Sequence, residues 1–256
     1  VNDLLVTRHG RVETWTMNRP AVRNALDQSL VARLREALTS AESIGADVVV
    51  LRGEGPSFCA GADLSLLANH DRASAQTPRN HLSAIWDLTL AIEHSPVVFV
   101  AVLHGHAIAG GLELALACDV VVAATGTLIG DGHVRHCLLP GGGASARMER
   151  TLGRGASAWL ALTGKFLPAD DPVFAPWLRS VVPPTELDET VAAIVTSLTD
   201  VSATARASYK QLLDETHGSL SASDRDRELD AFDRHWLAND VPSALRAFLT
   251  KTREAS

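Results

Sequence analysis

The chain has 256 residues, 46% hydrophobic and 21% charged, the profile of an ordinary soluble globular domain. Its formal net charge is −7, and its lysines and arginines are scattered, so no basic stripe marks a nucleic-acid surface. No apolar run reaches the length of a membrane span, which argues against a membrane partner.

Residues 4–18, LLVTRHGRVETWTMN, alternate apolar and polar side chains about His9-Gly10 and predict a β-hairpin. Asp27 is placed to cap a helix whose apolar positions, Leu30, Leu34, Ala37, Leu38 and Ala41, recur at helical spacing up to Gly45. DVVVLRGEG (47–55) reads as a buried parallel strand, and PSFCAGADLSLLA (56–68) as a tight loop entering a short helix. A helix is expected over 80–94, ended by Pro96, followed by a buried strand in VVFVAVLHG (97–105). GGLELALAC (110–118) predicts a helix entered through glycines, and DVVVAATGTLIG (119–130) strand, turn and strand. Beyond Pro140 a glycine run leads into helices near 144–153 and 155–163, and 183–250 reads as mostly helical. This alternation predicts an α/β fold. We expect a core over 1–190 and a helical region over 191–256 that belongs to the same domain and serves as cap or assembly arm.

Cys59, Cys118 and Cys137 are odd in number and irregular in spacing, so neither a disulfide framework nor a zinc pair is expected. Residues 1–15 lack the charged-then-apolar pattern of a secretory signal. The cysteine usage makes a reducing cytoplasm the expected compartment.

Glu113 stands out, because the helix that holds it is apolar on every face. A buried carboxylate is costly unless paired or hydrogen-bonded. The plainer reading is a buried ion pair with an arginine elsewhere. The glycines favour chemistry. Gly110 and Gly111 leave backbone amides bare at the start of the helix, where developing negative charge is stabilised. A substrate oxygen held there would lie close to Glu113. FCAGADL (58–64) also follows a buried strand and offers a further amide near Ala62.

Five segments in order then carry a resemblance: MNRPAVRNAL (17–26), SFCAGADL (57–64), AVLHGHAIAGGLELALACDVVVAA (101–124), LPGGGASARMERTLGRGASAWLALTG (139–164) and ALRAFLTK (244–251). Together they resemble the enoyl-CoA hydratase/isomerase (crotonase) superfamily over nearly the whole chain. The resemblance implies a crotonase-like spiral of ββα units with a C-terminal helical trimerisation region. It implies a homotrimer or a dimer of trimers acting on an acyl-CoA substrate, with coenzyme A as part of that substrate and no separate cofactor. By position, the amides of Ala62 and Gly110 would form an oxyanion hole, and Glu113 would be the first catalytic glutamate. Coenzyme A contacts would fall near Asn24, Ala25, Leu26, Ala60, Ala62, Asp63 and Leu64.

The chain departs from the hydratases at their second glutamate. Counting back from Pro140, that place holds His133, in IGDGHVRHCLLPG. The expected acid–base pair is therefore Glu113 and His133. Hydratase-type water addition is the leading expectation. The alternatives are isomerisation, C–C or thioester hydrolysis using His133, and acyl-CoA binding without turnover. Related β-diketone hydrolases carry an acid just after Pro-Gly, and that position here is Gly142. His104, His106, His133 and His136 could in principle gather around a metal, but no helical His-Glu-x-x-His or cysteine pair supports it, and none is expected. KFLPADDPVFAPWLRSVV (165–182) lacks the family's usual helix, which Pro168, Pro172 and Pro176 would interrupt. Trp159 and Trp177 are expected to pack in the core.

Overall fold

The computed structural model of the chain describes residues 2–70, 73–217 and 220–254. It starts with an antiparallel hairpin, β1 (Leu4–His9) and β2 (Val12–Met17), in which His9 faces Val12 across the turn. Asp27 accepts a hydrogen bond from the Leu30 amide and caps α1 (Gln28–Ser43). β3 (Val48–Gly53) lies parallel to β2, and α2 (Leu64–Ala68) and α3 (Gln76–His94) follow it. Next come β4 (Val98–Leu103), β5 (His106–Ile108), α4 (Gly110–Leu116), β6 (Val120–Ala124) and β7 (Leu128–Gly130). A short 3-10 turn, His133–His136, precedes α5 (Ala144–Leu152) and α6 (Arg154–Thr163).

Segment 165–182 forms no helix. It holds β8 (Leu167–Pro168), a 3-10 turn at Pro172–Phe174, and β9 (Leu178–Val182). The strands make a six-stranded sheet in the order β1-β2-β3-β4-β6-β9 and a three-stranded sheet in the order β5-β7-β8. The small sheet refines the expectation. Residues 119–130 do give two strands around a turn, yet β6 and β7 belong to different sheets. The strand of 97–105 likewise ends at a corner, beyond which β5 enters the small sheet. Three-residue strands such as β5 and β7 are too short to show an alternation in sequence.

The inner strands of the large sheet, β3, β4 and β6, are buried on both faces, whereas β1 is exposed beyond Leu4. Val48, Val50, Val98, Val100, Val102 and Val122 face one side, which α7 (Leu187–Thr199) covers with Leu187 and Val191. Val49, Leu51, Phe99, Ala101, Leu103 and Val121 face the main core. Successive side chains of a strand point to opposite faces, so two-sided burial produces the unbroken apolar runs. The expected boundary at 190/191 falls inside α7, a helix that packs on the sheet.

The last helices, α8 (Ala203–His217), α9 (Ala222–Ala238) and α10 (Val241–Glu254), return over the earlier elements. α9 packs on α3, and α10 packs on α2 and on the 3-10 turn at 133–136. One expectation fails: Trp159 is 50% exposed on α6, with the Lys165 ammonium 5.1 Å from its ring centroid. Residues Arg154–Thr163 form a helix with only Ser157 and Leu160 buried, so its indole has no core to enter. Trp177 is partly buried against the core. Among the described residues, no helix is long and apolar enough to cross a membrane.

Candidate active site

The site is set by two backbone segments that run side by side. The Phe58 amide donates to His104 O, the Cys59 amide to His106 O, and the Ile108 amide to Cys59 O. This short parallel pairing brings residues 59–62 alongside β5 and the start of α4. Gly111 lies so close to the neighbouring segment that a Cβ there would sit 2.2 Å from Cys59 O, so only glycine allows the approach. On its outer side the 61–63 stretch binds Leu26, through Gly61 O and the Asp63 amide. Amides alternate in direction along an extended chain, so the Ala62 N–H points the other way, toward α4. An ideal Cβ built at Gly110 would lie 3.2 Å from Ala62 N, which places the two amides next to each other. Among the described residues neither amide has a hydrogen-bond acceptor.

Ala109 gives the Gly110 amide its direction. It adopts φ 50° and ψ −117°, a conformation that side-chain-bearing residues rarely take. Its own amide still donates to Gly130 O of β7 at 3.0 Å, so the chain leaves the small sheet and turns within one residue.

All seven residues of α4 are buried, Glu113 among them at 2% exposure. Among the described residues the carboxylate is in no ion pair. Glu113 Oε1 accepts the amides of Gly142 at 2.9 Å and Ala144 at 3.1 Å, at the N-terminal end of α5. Oε2 has no donor among the described residues. The buried arginine nearby, Arg147, is taken by Glu93 at 2.8 Å and by Gly142 O at 2.9 Å. A Cβ at Gly142 would meet Glu113 Oε2 at 2.5 Å, so the position where the β-diketone hydrolases carry their acid has no room for a side chain here.

His133 is 8% exposed and opens the 3-10 turn. Its Nδ1 pairs with Asp131 Oδ1 at 2.9 Å. Burial opposes a charge on the ring. The Asp131 charge and hydrogen bond overcome it, with Glu113 and Glu228 adding, and hold the imidazolium up to about 9. The ring is therefore charged at neutral pH, and its Nε2–H has no protein partner among the described residues.

Glu113, His133, Ala62, Gly110, Ala60 and Leu64 line one narrow cavity of about 50 Å³. The remaining wall is mainly apolar, with Leu67, Leu82, Leu138, Leu139 and Phe232. The other expected contact residues lie just outside. Leu26 and Ala25 are buried behind the Ala62 strand. The Asn24 side chain is committed to Arg19 N, Glu54 O and Ser57 O. Asp63 caps α2 through the Ser65 amide and lies 3.5 Å from Arg19.

The histidines take separate partners. His104 bonds Gly55 O, His106 bonds Ser57, and His136 packs on the Phe248 ring at 4.2 Å between centroids. Among the described residues no group of three or more His, Cys, Asp or Glu could hold a metal ion.

Two acidic residues at the site escape a reading of the sequence for function. Asp131, two residues before His133, was legible as a local partner. Glu228 sits in a charged stretch, DRDRELD, that looks fully solvated. Its signal is helical spacing, since Glu228, Phe232 and Trp236 recur every four residues and all three are buried. Glu228 Oε1 accepts the Gly143 amide at 2.8 Å, and Oε2 accepts the Ser145 amide at 3.0 Å and the Ser145 hydroxyl. Burial, and then the charge of Glu113, push this carboxyl up to about 7.

Known proteins resemble the chain along nearly its whole length. The enoyl-CoA hydratase/isomerase family model matches residues 7–255. A probable enoyl-CoA hydratase of Mycobacterium tuberculosis is 30% identical over 251 residues, 97% of this chain and 95% of the relative. A 2,3-dehydroadipyl-CoA hydratase of Escherichia coli is 29% identical, covering 98% of this chain and 97% of its own. Among solved structures, an enoyl-CoA hydratase from Mycobacterium avium subsp. paratuberculosis superposes with a TM-score of 0.86 at 28% identity, over 96% of this chain and 98% of the other.

Proposed function

The chain belongs to the enoyl-CoA hydratase/isomerase family, and we propose that it adds water across the double bond of a 2-enoyl-CoA through Glu113 and His133. The thioester oxygen takes the Ala62 and Gly110 amides, which stabilise the enolate-like charge that develops on it. Glu113 Oε2 takes a proton from water as the water oxygen bonds the β-carbon. His133 Nε2–H gives its proton to the α-carbon. One addition leaves Glu113 protonated and His133 neutral, and passing that proton back to the imidazole restores the resting state. Asp131 orients the ring and keeps it charged. Coenzyme A would run past the backbone of residues 24–26 and 60–64, where Asn24 and Asp63 shape the loops through the bonds described above.

The observation that carries this reading is the pair of unoccupied amides beside a carboxylate held by amides and not by an arginine. The blocked position at Gly142 weighs against the hydrolase alternative. The three unpaired cysteines support a reducing, cytoplasmic setting. Exposed Trp159 and Leu162 on α6, and Tyr209 and Leu212 on α8, support assembly into a homotrimer or a dimer of trimers. Light scattering tests the assembly, and a monomer at micromolar concentration overturns it.

Crotonyl-CoA is the first test substrate. Loss of the conjugated enone absorbance, with a product heavier by one water, is the expected result. Absence of turnover across acyl lengths, while the thioesters still bind, overturns the reading. Cleavage products in the mass spectrum assign a hydrolase.

A further inference from the structure

The first turn of α5 presents four consecutive amides, Gly142, Gly143, Ala144 and Ser145, and two carboxylates divide them in alternation. Glu113 takes Gly142 and Ala144. Glu228 takes Gly143 and Ser145. No side chain of α5's own N-cap does this work, since the cap is Gly143 itself. An uncapped helix start leaves these amides without partners, and here buried acids from two distant elements supply them.

We propose that Glu228, delivered by α9, is a positioning residue for the reaction: it fixes the amide turn that holds Glu113 and sets its negative charge against both Glu113 and His133. This rests on the hydratase reading of the same cavity. The same face of α9 carries Phe232 into the cavity wall one turn on, so one helix both closes the pocket and braces its acid. If Glu228 leaves, the Gly143 and Ser145 amides are freed, and the turn is released from one side of its anchorage. Glu113 is then held by a less constrained pair of donors.

The charge effect has a defined sign. The groups that face Glu228 are Glu113 from α4, Ser145 from α5 and His133 from the 3-10 turn. The charged groups that α3 turns toward α9 are already taken: Arg79 by Asp230 and Asp233, and Asp87 by Arg225 at 3.5 Å. The two carboxylates repel each other, and both attract the imidazolium. Neutralising Glu228 removes one attraction for the charged ring, so the basic limb of the pH–rate profile moves to lower pH. A residue that merely held the fold would lower the profile without displacing it.

The test compares wild type with Glu228→Gln and Ser145→Ala, with crotonyl-CoA as substrate. For Glu228→Gln the expected result is a kcat lower by about 10-fold to 100-fold with KM held within about 2-fold. The basic limb moves about 0.5 pH unit or more toward acid. Ser145→Ala keeps the carboxylate and removes only the hydroxyl donor, so it moves the basic limb the same way by less. The His133 ring is also followed directly by NMR titration of histidine-labelled protein, which needs no turnover. Its titration is expected to move to lower pH in Glu228→Gln. A basic limb and a His133 titration unchanged in both variants overturn the proposal, whether or not kcat drops. Lack of turnover in wild type, with a displaced His133 titration, overturns the hydratase reading and keeps the coupling of Glu228 to the site.

Discussion

Two carboxylates on adjacent elements, one partly exposed and one buried, take opposite kinds of partner. Asp119, at the entry to β6, accepts the Phe99 amide at 2.7 Å and the Lys210 ammonium at 2.8 Å. That ammonium is buried and also donates to Ile92 O and Val97 O, so every charge is matched within the protein. Glu113, at the other end of the α4 connection, has amides for one oxygen and a cavity for the other. Its second carboxylate neighbour, Glu228, adds repulsion instead of a counter-charge. A paired acid ties α8 to the sheet. An acid held only by amides keeps an oxygen available for a proton. The difference separates a structural carboxylate from a chemical one, although both sequence contexts, ELALACD among them, look equally apolar.

The largest effects come from neutralising each acid in turn. Glu113→Gln is expected to lower kcat by about 10³-fold, within the range that general base catalysis contributes, with the urea midpoint unchanged. Asp119→Asn is expected to do the reverse. It takes the acid away from the Lys210 ammonium, which keeps its two carbonyl acceptors, at a cost of about 1–3 kcal/mol in stability, while activity per folded molecule is retained. Steady-state kinetics together with urea unfolding of both variants check this. Equal loss of activity and stability in the two variants would erase the distinction.

His133 sharpens the comparison, because it is a cation that the site keeps beside its acids. His133→Gln is expected to lower kcat by about 10²-fold and to remove the basic limb of the rate profile near pH 9. The same group leaves a mark on stability. Its folded-state value is raised above that of the unfolded chain, so its contribution is complete below the ordinary histidine range. It is lost as pH rises toward about 9. Urea midpoints measured from pH 6 to pH 10 are expected to fall over that window in wild type by more than in His133→Gln. Parallel curves would show that the ring gains no proton affinity on folding.

Much of this arrangement was legible in the sequence, for identifiable reasons. The Glu113 helix was visible because a carboxylate among Leu, Ala and Gly has no cheap solution. The Asp27 cap and the β3 and β4 runs followed from local patterns with one physical meaning each. His133 was placed by counting from Pro140. What stayed hidden depended on contacts far apart in the chain. Glu228 is 115 positions beyond Glu113, surrounded by acids and bases that are exposed, and only its register with Phe232 and Trp236 distinguishes it. The small sheet was hidden because β5, β7 and β8 gain their partners only after the chain has turned out of the large one. The fate of Trp159 could not be read from its apolar character, since α6 buries so little of its surface.

The smallest expected effect concerns the turn that feeds the oxyanion amides. Ala109 sits at φ 50° and ψ −117° between β5 and α4, where its Cβ crowds its own backbone. Ala109→Gly removes that strain, worth roughly 1–3 kcal/mol, and gives back part of it through the freer unfolded chain. The net expectation is a stability gain of about 1 kcal/mol, read as a Tm higher by roughly 2–4 °C for a chain of this size. The ladder bond from residue 109 to Gly130 O and the contact of Gly110 with Gly61 and Ala62 are backbone features that glycine retains. We therefore expect kcat/KM to stay within about 2-fold of wild type. A more stable variant with a much lower kcat would mean that the methyl group itself holds the Gly110 amide on target, and that the strain at Ala109 belongs to the chemistry of Glu113 and not to the fold.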